Sequence, residues 1–208
     1  QGREHAASPS SAPDGRRRPA ALRCLLTHSG RDRPRHISPR KETQIGRLLD
    51  TLGGLEGLGA PGGRIERIVD VGSGRGHLTR RAMETWQVPA VGLEIEERLV
   101  ERARTLAGEG GAGFSRLDAL ARPPDLRPTD LALGLHACGA LADSIVTAAA
   151  VARCSAALVA CCHQKHPGHR RDPISELGRR HGLGFPSRIL GLANLHPRPL
   201  GIGARLQA

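Results

Sequence analysis

Three short stretches carry residues that can do chemistry: VDVGSGRG at 69–76, LHACG at 135–139 and ACCHQKH at 160–166. The first spaces Gly72, Gly74 and Gly76 at every second position, behind an acid, Asp70. Glycines let a backbone turn sharply and approach a ligand closely. A helix starting after them would offer unpaired N–H groups to an anion. The other two stretches gather His136, Cys138, Cys161, Cys162 and His163. Those residue types suit three chemistries. They can ligate a metal, pair a nucleophile with its base, or form a pocket rim where a histidine moves a proton. The choice depends on where the fold puts them.

The elements follow from hydrophobic spacing. ISPRKETQIGRLLDTL (37–52) predicts a helix capped by Ser38, with Pro39 at its first position. Ile45, Leu48, Leu49 and Leu52 make its apolar stripe. Arg40 and Lys41 sit in its first turn, as a tolerated exposed pair or as a basic rim facing an anion. GGLEGLGAPGG (53–63) reads as a loop. Then RIVDV (67–71), PAVGL (89–93), GFSRL (113–117), LALGL (131–135) and AALVA (156–160) read as strands. HLTRRAMETW (77–86), EERLVERARTLA (96–107) and ALADSIVTAAAV (140–151) read as helices.

Strands alternating with helices predict βαβ units and a mostly parallel sheet covered on both faces. The fold class is a doubly wound, Rossmann-like α/β domain. Ligands of such sheets bind beyond the carboxyl ends of the strands, near the switch point. The glycine loop, LHACG and ACCHQKH all leave that edge. So do two further acids, Glu94 after the second strand and Asp118 after the third. Glu94 is placed to accept hydrogen bonds from vicinal ribose hydroxyls. Asp118 is placed to meet an adenine amino group, and read singly it serves equally as a helix cap. A dinucleotide loop would read G-x-G-x-x-G, whereas this one reads G-x-G-x-G.

That loop, with acids ending three successive strands, resembles the cofactor site of class I S-adenosylmethionine-dependent methyltransferases. The resemblance implies S-adenosylmethionine as cofactor, held by Asp70, Gly72, Ser73, Gly74, Gly76, Glu94, Asp118 and Leu135. It also implies that the loop after the fourth strand faces the transferred methyl group. Enzymes that methylate exocyclic base amines usually carry Asn or Asp, Pro-Pro and an aromatic there. LHACG lacks all of these. A nicotinamide-dependent oxidoreductase is the rival reading of the loop, and a binding module without turnover is another.

On the acceptor side the candidates are His136, Cys138, Cys162 and His163, with His136 as general base for a hydroxyl or ring nitrogen. A zinc site asks for closer ligand spacing, such as C-x2-C, and Cys138 lies far from Cys161 in the chain. No metal is assigned on that basis. Covalent cysteine catalysis is unnecessary with an activated methyl donor. If the fifth strand continued, Cys161 and Cys162 would point to opposite faces and only one would line the pocket.

Composition bounds the rest. A chain of 208 residues favours one domain with flanking segments. The net charge is +11, and of the 31 basic residues only Lys41 and Lys165 are lysine. Such an excess fits an RNA partner, and it fits a compositional bias towards arginine equally. Aromatic residues are restricted to Trp86, Phe114 and Phe185, too few for a broad base-stacking platform. The cysteines, with Cys24 and Cys154 completing an odd set of 5, do not suggest a disulfide framework. A reducing, intracellular compartment, cytoplasmic or nuclear, is expected. No apolar run approaches the ~18 residues of a membrane span. The chain begins at Gln1, so no targeting signal is read, and oligomeric state is not legible. Residues 1–36 read as a flexible Arg/Pro-rich tail or truncated segment, with one apolar patch, AALRCLL.

HISPRKETQIGRL, IVDVGSGRGHLTRRAM, LGLHACGALADSIV and ALVACCHQKH, in this order, resemble the methyltransferase-domain family that includes the methyltransferase-like protein 25 proteins. One group of that family is labelled rRNA adenine dimethylase domain-containing. The likeness covers about residues 37–207. LHACG and CCH are also similar to motifs of a tRNA ribose 2′-O-methyltransferase family, which implies that these His and Cys residues border the methyl acceptor. Two departures stand out. Ala140 occupies a position where family members often carry Asp, and 163–208 shows no hairpin pattern for the last two strands of a seven-stranded sheet. The domain at 37–208 is therefore expected to lack those strands.

Overall fold

The computed structural model describes residues 37–54 and 64–194. The 1–36 segment, most of the 53–63 loop and residues 195–208 lie outside the described residues. Five strands form one parallel sheet in the order β3-β2-β1-β4-β5. They are β1 Arg67–Val71, β2 Ala90–Glu94, β3 Gly113–Arg116, β4 Asp130–Leu135 and β5 Ser155–Val159. The helices are α1 Pro39–Leu52, α2 His77–Trp86, α3 Glu97–Ala107 and α4 Ala140–Ala152. The order reverses between β1 and β4, so the switch point lies where the glycine loop and LHACG leave the sheet.

Strand alternation divides the core. Ile68, Leu131, Leu133 and Phe114 face α1, α2 and α3, which bring Ile45, Leu48, Leu49, Leu78, Ala82, Val100 and Ala103. Val69, Val71 and Ala132 face the other side, against Ile145 of α4 and the irregular stretch after β3, with Ala119 and Leu126. Residues 118–129 form no helix, so this second face is covered more thinly.

Local chemistry explains the helix ends. The Ser38 hydroxyl accepts from the Lys41 N–H at 3.3 Å, and Pro39 opens α1. Gly53 closes it at φ 62°, and the Trp86 indole donates to the Gly53 carbonyl at 2.8 Å. That bond ties the C-terminal end of α1 to that of α2. At the opposite edge of the sheet from the motifs, Arg67 clasps the fully buried Asp130 through Nε at 2.9 Å and a second nitrogen at 2.6 Å. The Arg127 N–H also donates to Asp130, at 2.6 Å, so the buried carboxylate is satisfied.

Beyond β5 the chain makes a separate antiparallel pair, β6 Arg170–Arg171 with β7 Phe185–Pro186, around the short helix α5 Glu176–Arg180. It ends in α6 Ser187–Leu190 and a 3-10 turn, Gly191–Asn194. The expected absence of a hairpin signal here has a physical reason: each strand is two residues long, too short for alternation to register. An ion pair between Arg171 and Asp143 fastens this segment to α4.

Candidate active site

The glycine loop turns on left-handed backbone. Gly72, Gly74 and Gly76 have φ of 77°, 58° and 71°, a region L-residues rarely occupy. Their roles differ. A Cβ on Gly74 would meet nothing within 4 Å, so this glycine borders open space. A Cβ on Gly76 would strike the Phe114 ring, so this glycine serves the packing of α2 on the sheet.

The loop is braced by its own hydrogen bonds. The N–H groups of Gly72 and Ser73 donate to the Leu93 carbonyl at 2.8 and 3.0 Å. Gly76 donates to the Ser73 carbonyl at 2.9 Å. Gly74 donates to Glu94 Oε2 at 2.8 Å. The end of β2 takes three of these four amides and the loop's own Ser73 carbonyl takes the fourth. Ser73 also differs from expectation. Its hydroxyl is buried, has no hydrogen-bond partner among the described residues, and lies 2.7 Å from where a Cβ on Gly92 would stand. It turns into the sheet rather than out towards a ligand.

Asp70 sits beneath the loop at 2 % exposure, accepting from the Thr79 hydroxyl at 2.6 Å. Burial raises its pKa to about 6, against the pull of Thr79 and of Lys41. Lys41, whose charge acts on that carboxyl, is half-buried, and Arg40 is exposed.

Glu94 is 9 % exposed, and its Oε1 accepts from the N–H groups of Ile95 at 2.9 Å and Glu96 at 3.2 Å. Each carboxylate oxygen carries two lone pairs, so with Oε1 filled and Oε2 taking the Gly74 N–H, one site on Oε2 stays open to a hydroxyl. Asp118 is exposed, and its Oδ1 accepts from Leu120 and Ala121 at 2.9 and 3.3 Å. It braces the turn after β3, and because no helix follows there, the helix-cap alternative is corrected.

Leu135 is the half-buried last residue of β4. His136 follows at φ 65°, exposed, with Nε2 3.1 Å from Gln44 Oε1 of α1. Gln44 carried no sequence signal, because only the packing of α1 over the sheet end brings it there. The Leu135↔Val159 register sets the exits of β4 and β5 side by side. Cys138 Sγ lies 3.1 Å from Cys161 Sγ, which lies 3.6 Å from Cys162 Sγ. The strand stops at Val159, so the condition for a split across the sheet is not met, and the Cys161 and Cys162 sulfurs stay close together. Burial pulls the Cys138 pKa up, but hydrogen bonds from Cys161 and Cys162 hold it below its ordinary value. Cys161 is pushed up to about 12, chiefly by its bond to Cys138. His163 is half-buried next to them in the chain.

A cavity of about 450 Å³ opens elsewhere, over Val69, Val91, Leu93 and Leu117 on the thinly covered face. It includes neither the glycine loop nor His136. The strand-end edge, where the polar groups converge, is the stronger candidate site.

A doubly wound parallel sheet with this loop at its switch point is the frame of a nucleoside-binding α/β enzyme. The model of a methyltransferase domain family matches residues 40–167, and the chain belongs to that family. Among solved structures, an S-adenosylmethionine-dependent methyltransferase from Mesorhizobium loti is 29% identical over 46% of this chain and 39% of its own length, with a TM-score of 0.34. An RNA methyltransferase from Salinibacter ruber, in complex with S-adenosyl-L-homocysteine, is 25% identical over 48% of this chain and 60% of its own, with a TM-score of 0.36. The chain thus spans less than two thirds of either protein. No helix among the described residues is long and apolar enough to cross a membrane.

Proposed function

We propose that this chain transfers a methyl group from S-adenosylmethionine to RNA. The observation that carries the reading is the junction of Gly74 with Glu94, 2.8 Å apart at the switch point, on the same sheet edge as His136. The residues suit the cofactor. The open side of Gly74 leaves room for its methionine end, beside the N-terminus of α2. Glu94 Oε2 takes a ribose hydroxyl, and Asp118 and Leu135 border the adenine and the methyl end. Asp70 supports the loop from below. The cofactor, when bound, supplies an electrophilic methyl group.

The protein's own task is then to hold the acceptor and remove its proton. A Nε2–H donated from His136 to Gln44 leaves Nδ1 to receive that proton. Gln44 is a positioning residue. Cys138, Cys162 and His163 border the acceptor. RNA is supported by the net charge of +11, by Lys41 at the edge, and by the likeness of LHACG and ACCHQKH to the tRNA ribose methyltransferase motifs. The narrower kinship with the methyltransferase-like protein 25 group rests on the same two motifs.

Ala140, at a position where the resembled family often carries Asp, favours one second reading, a module that binds cofactor or RNA without turnover. Transfer of labelled methyl to unmodified tRNA, rRNA and protein pools separates the two. We expect label in RNA, and a loss of about 10²–10⁴-fold in rate for His136→Ala at unchanged cofactor affinity. Label in protein alone would refute the RNA acceptor, and cofactor binding with no label anywhere would establish the second reading.

A further inference from the structure

We infer that Cys138, Cys161 and Cys162 form a zinc site that staples the exit of β4 to the exit of β5. The three sulfur atoms lie within 4.8 Å of one another. Zinc binds thiolate sulfur at about 2.3 Å, which sets tetrahedral sulfur–sulfur edges of about 3.8 Å. The observed 3.1 and 3.6 Å edges are reached from that geometry by small side-chain rotations. Soft thiolates select zinc or copper(I) over magnesium and calcium.

The surroundings are built for thiolate charge. Cys138 Sγ accepts the backbone N–H of Cys161 at 3.1 Å and of Cys162 at 3.2 Å. Such outer bonds orient ligating sulfur and spread its charge. The loop that carries Cys161 and Cys162 is itself pinned, because the Lys165 carbonyl accepts the Ala140 N–H at 2.9 Å. A Cβ on Gly139 would collide with that carbonyl, so the contact needs glycine there. The wide sequence separation that argues against a metal is removed by the topology, since β4 and β5 are neighbours. Binding of Zn2+ releases the thiol protons to solvent and leaves a fourth position for water or a ring nitrogen. Cys138 and Cys162 also border the proposed acceptor, and the metal readout needs no cofactor or acceptor.

Reduced, metal-free protein titrated with Co2+ is the test. A single equivalent should give the near-ultraviolet sulfur-to-cobalt absorption and the strong visible bands of a tetrahedral thiolate site, bleached by Zn2+. Cys161→Ser, an exposed position, should keep the circular dichroism of the folded chain and lose the sulfur band. Cys138→Ser and Cys162→Ser should behave alike, while Cys154→Ser retains it. A folded, reduced chain that takes up neither metal would overturn the site. So would a band unchanged in Cys161→Ser.

Discussion

Asp70 lies buried beneath the glycine loop, held by the Thr79 hydroxyl. Its carboxyl is buried and titrates near pH 6, above the ordinary 3.8, so the folded chain holds that proton more tightly than the unfolded chain does. The sign follows: its contribution is most favourable below about pH 4 and is lost as pH rises through about 6. Asp70→Asn removes that dependence. Thermal melts at pH 4.5 and 7 should show the variant gaining on the wild type at the higher pH; an equal gap at both would contradict the burial. The acids and glycines of this edge are legible in the sequence because each lies at or just beyond the end of an apolar strand run. Their division of labour is not. That Ser73 turns inward, that Gly76 serves Phe114, and that Gln44 meets His136 all depend on contacts between distant segments.

The same contrast holds for elements. Strands β1 to β5 and helices α1 to α4 are readable because apolar spacing changes between two and 3.6 residues within each unit. The segment from Arg170 to Pro186 is not, because its strands are too short to carry a period. Register carries what spacing cannot. Gly92 pairs with both Asp70 and Phe114, and a Cβ there would lie 2.5 Å from the Phe114 ring and 2.7 Å from the Ser73 hydroxyl. Gly92→Ala should destabilise the domain by about 1–3 kcal/mol, the range for overpacking. Phe114→Leu in the same chain should recover part of that loss in chemical denaturation. Additive losses would show that the ring is not the obstacle.

Across the whole molecule the dominant property is charge. The +11 excess is carried almost wholly by arginine, which cannot be titrated away at any working pH. If that charge meets phosphate, log affinity for RNA must fall linearly with log salt, by ~0.7–0.9 per contact. A measurable slope, with Lys41→Glu weakening binding at every salt concentration, is the expected outcome. A salt-independent affinity would assign the arginine to composition. The sequence leaves these two readings level because net charge says nothing of its own arrangement.

The central claim is that the Gly74–Glu94 junction holds S-adenosylmethionine. Calorimetric titration of S-adenosyl-L-homocysteine into the folded chain, beside Glu94→Ala, tests it most directly. The account predicts micromolar binding, about −8 kcal/mol. It predicts a loss of about 1.5–3 kcal/mol in the variant, the range for hydrogen bonds to a charged group. Equal affinity in both proteins, or none in a wild type shown to be folded, would contradict it.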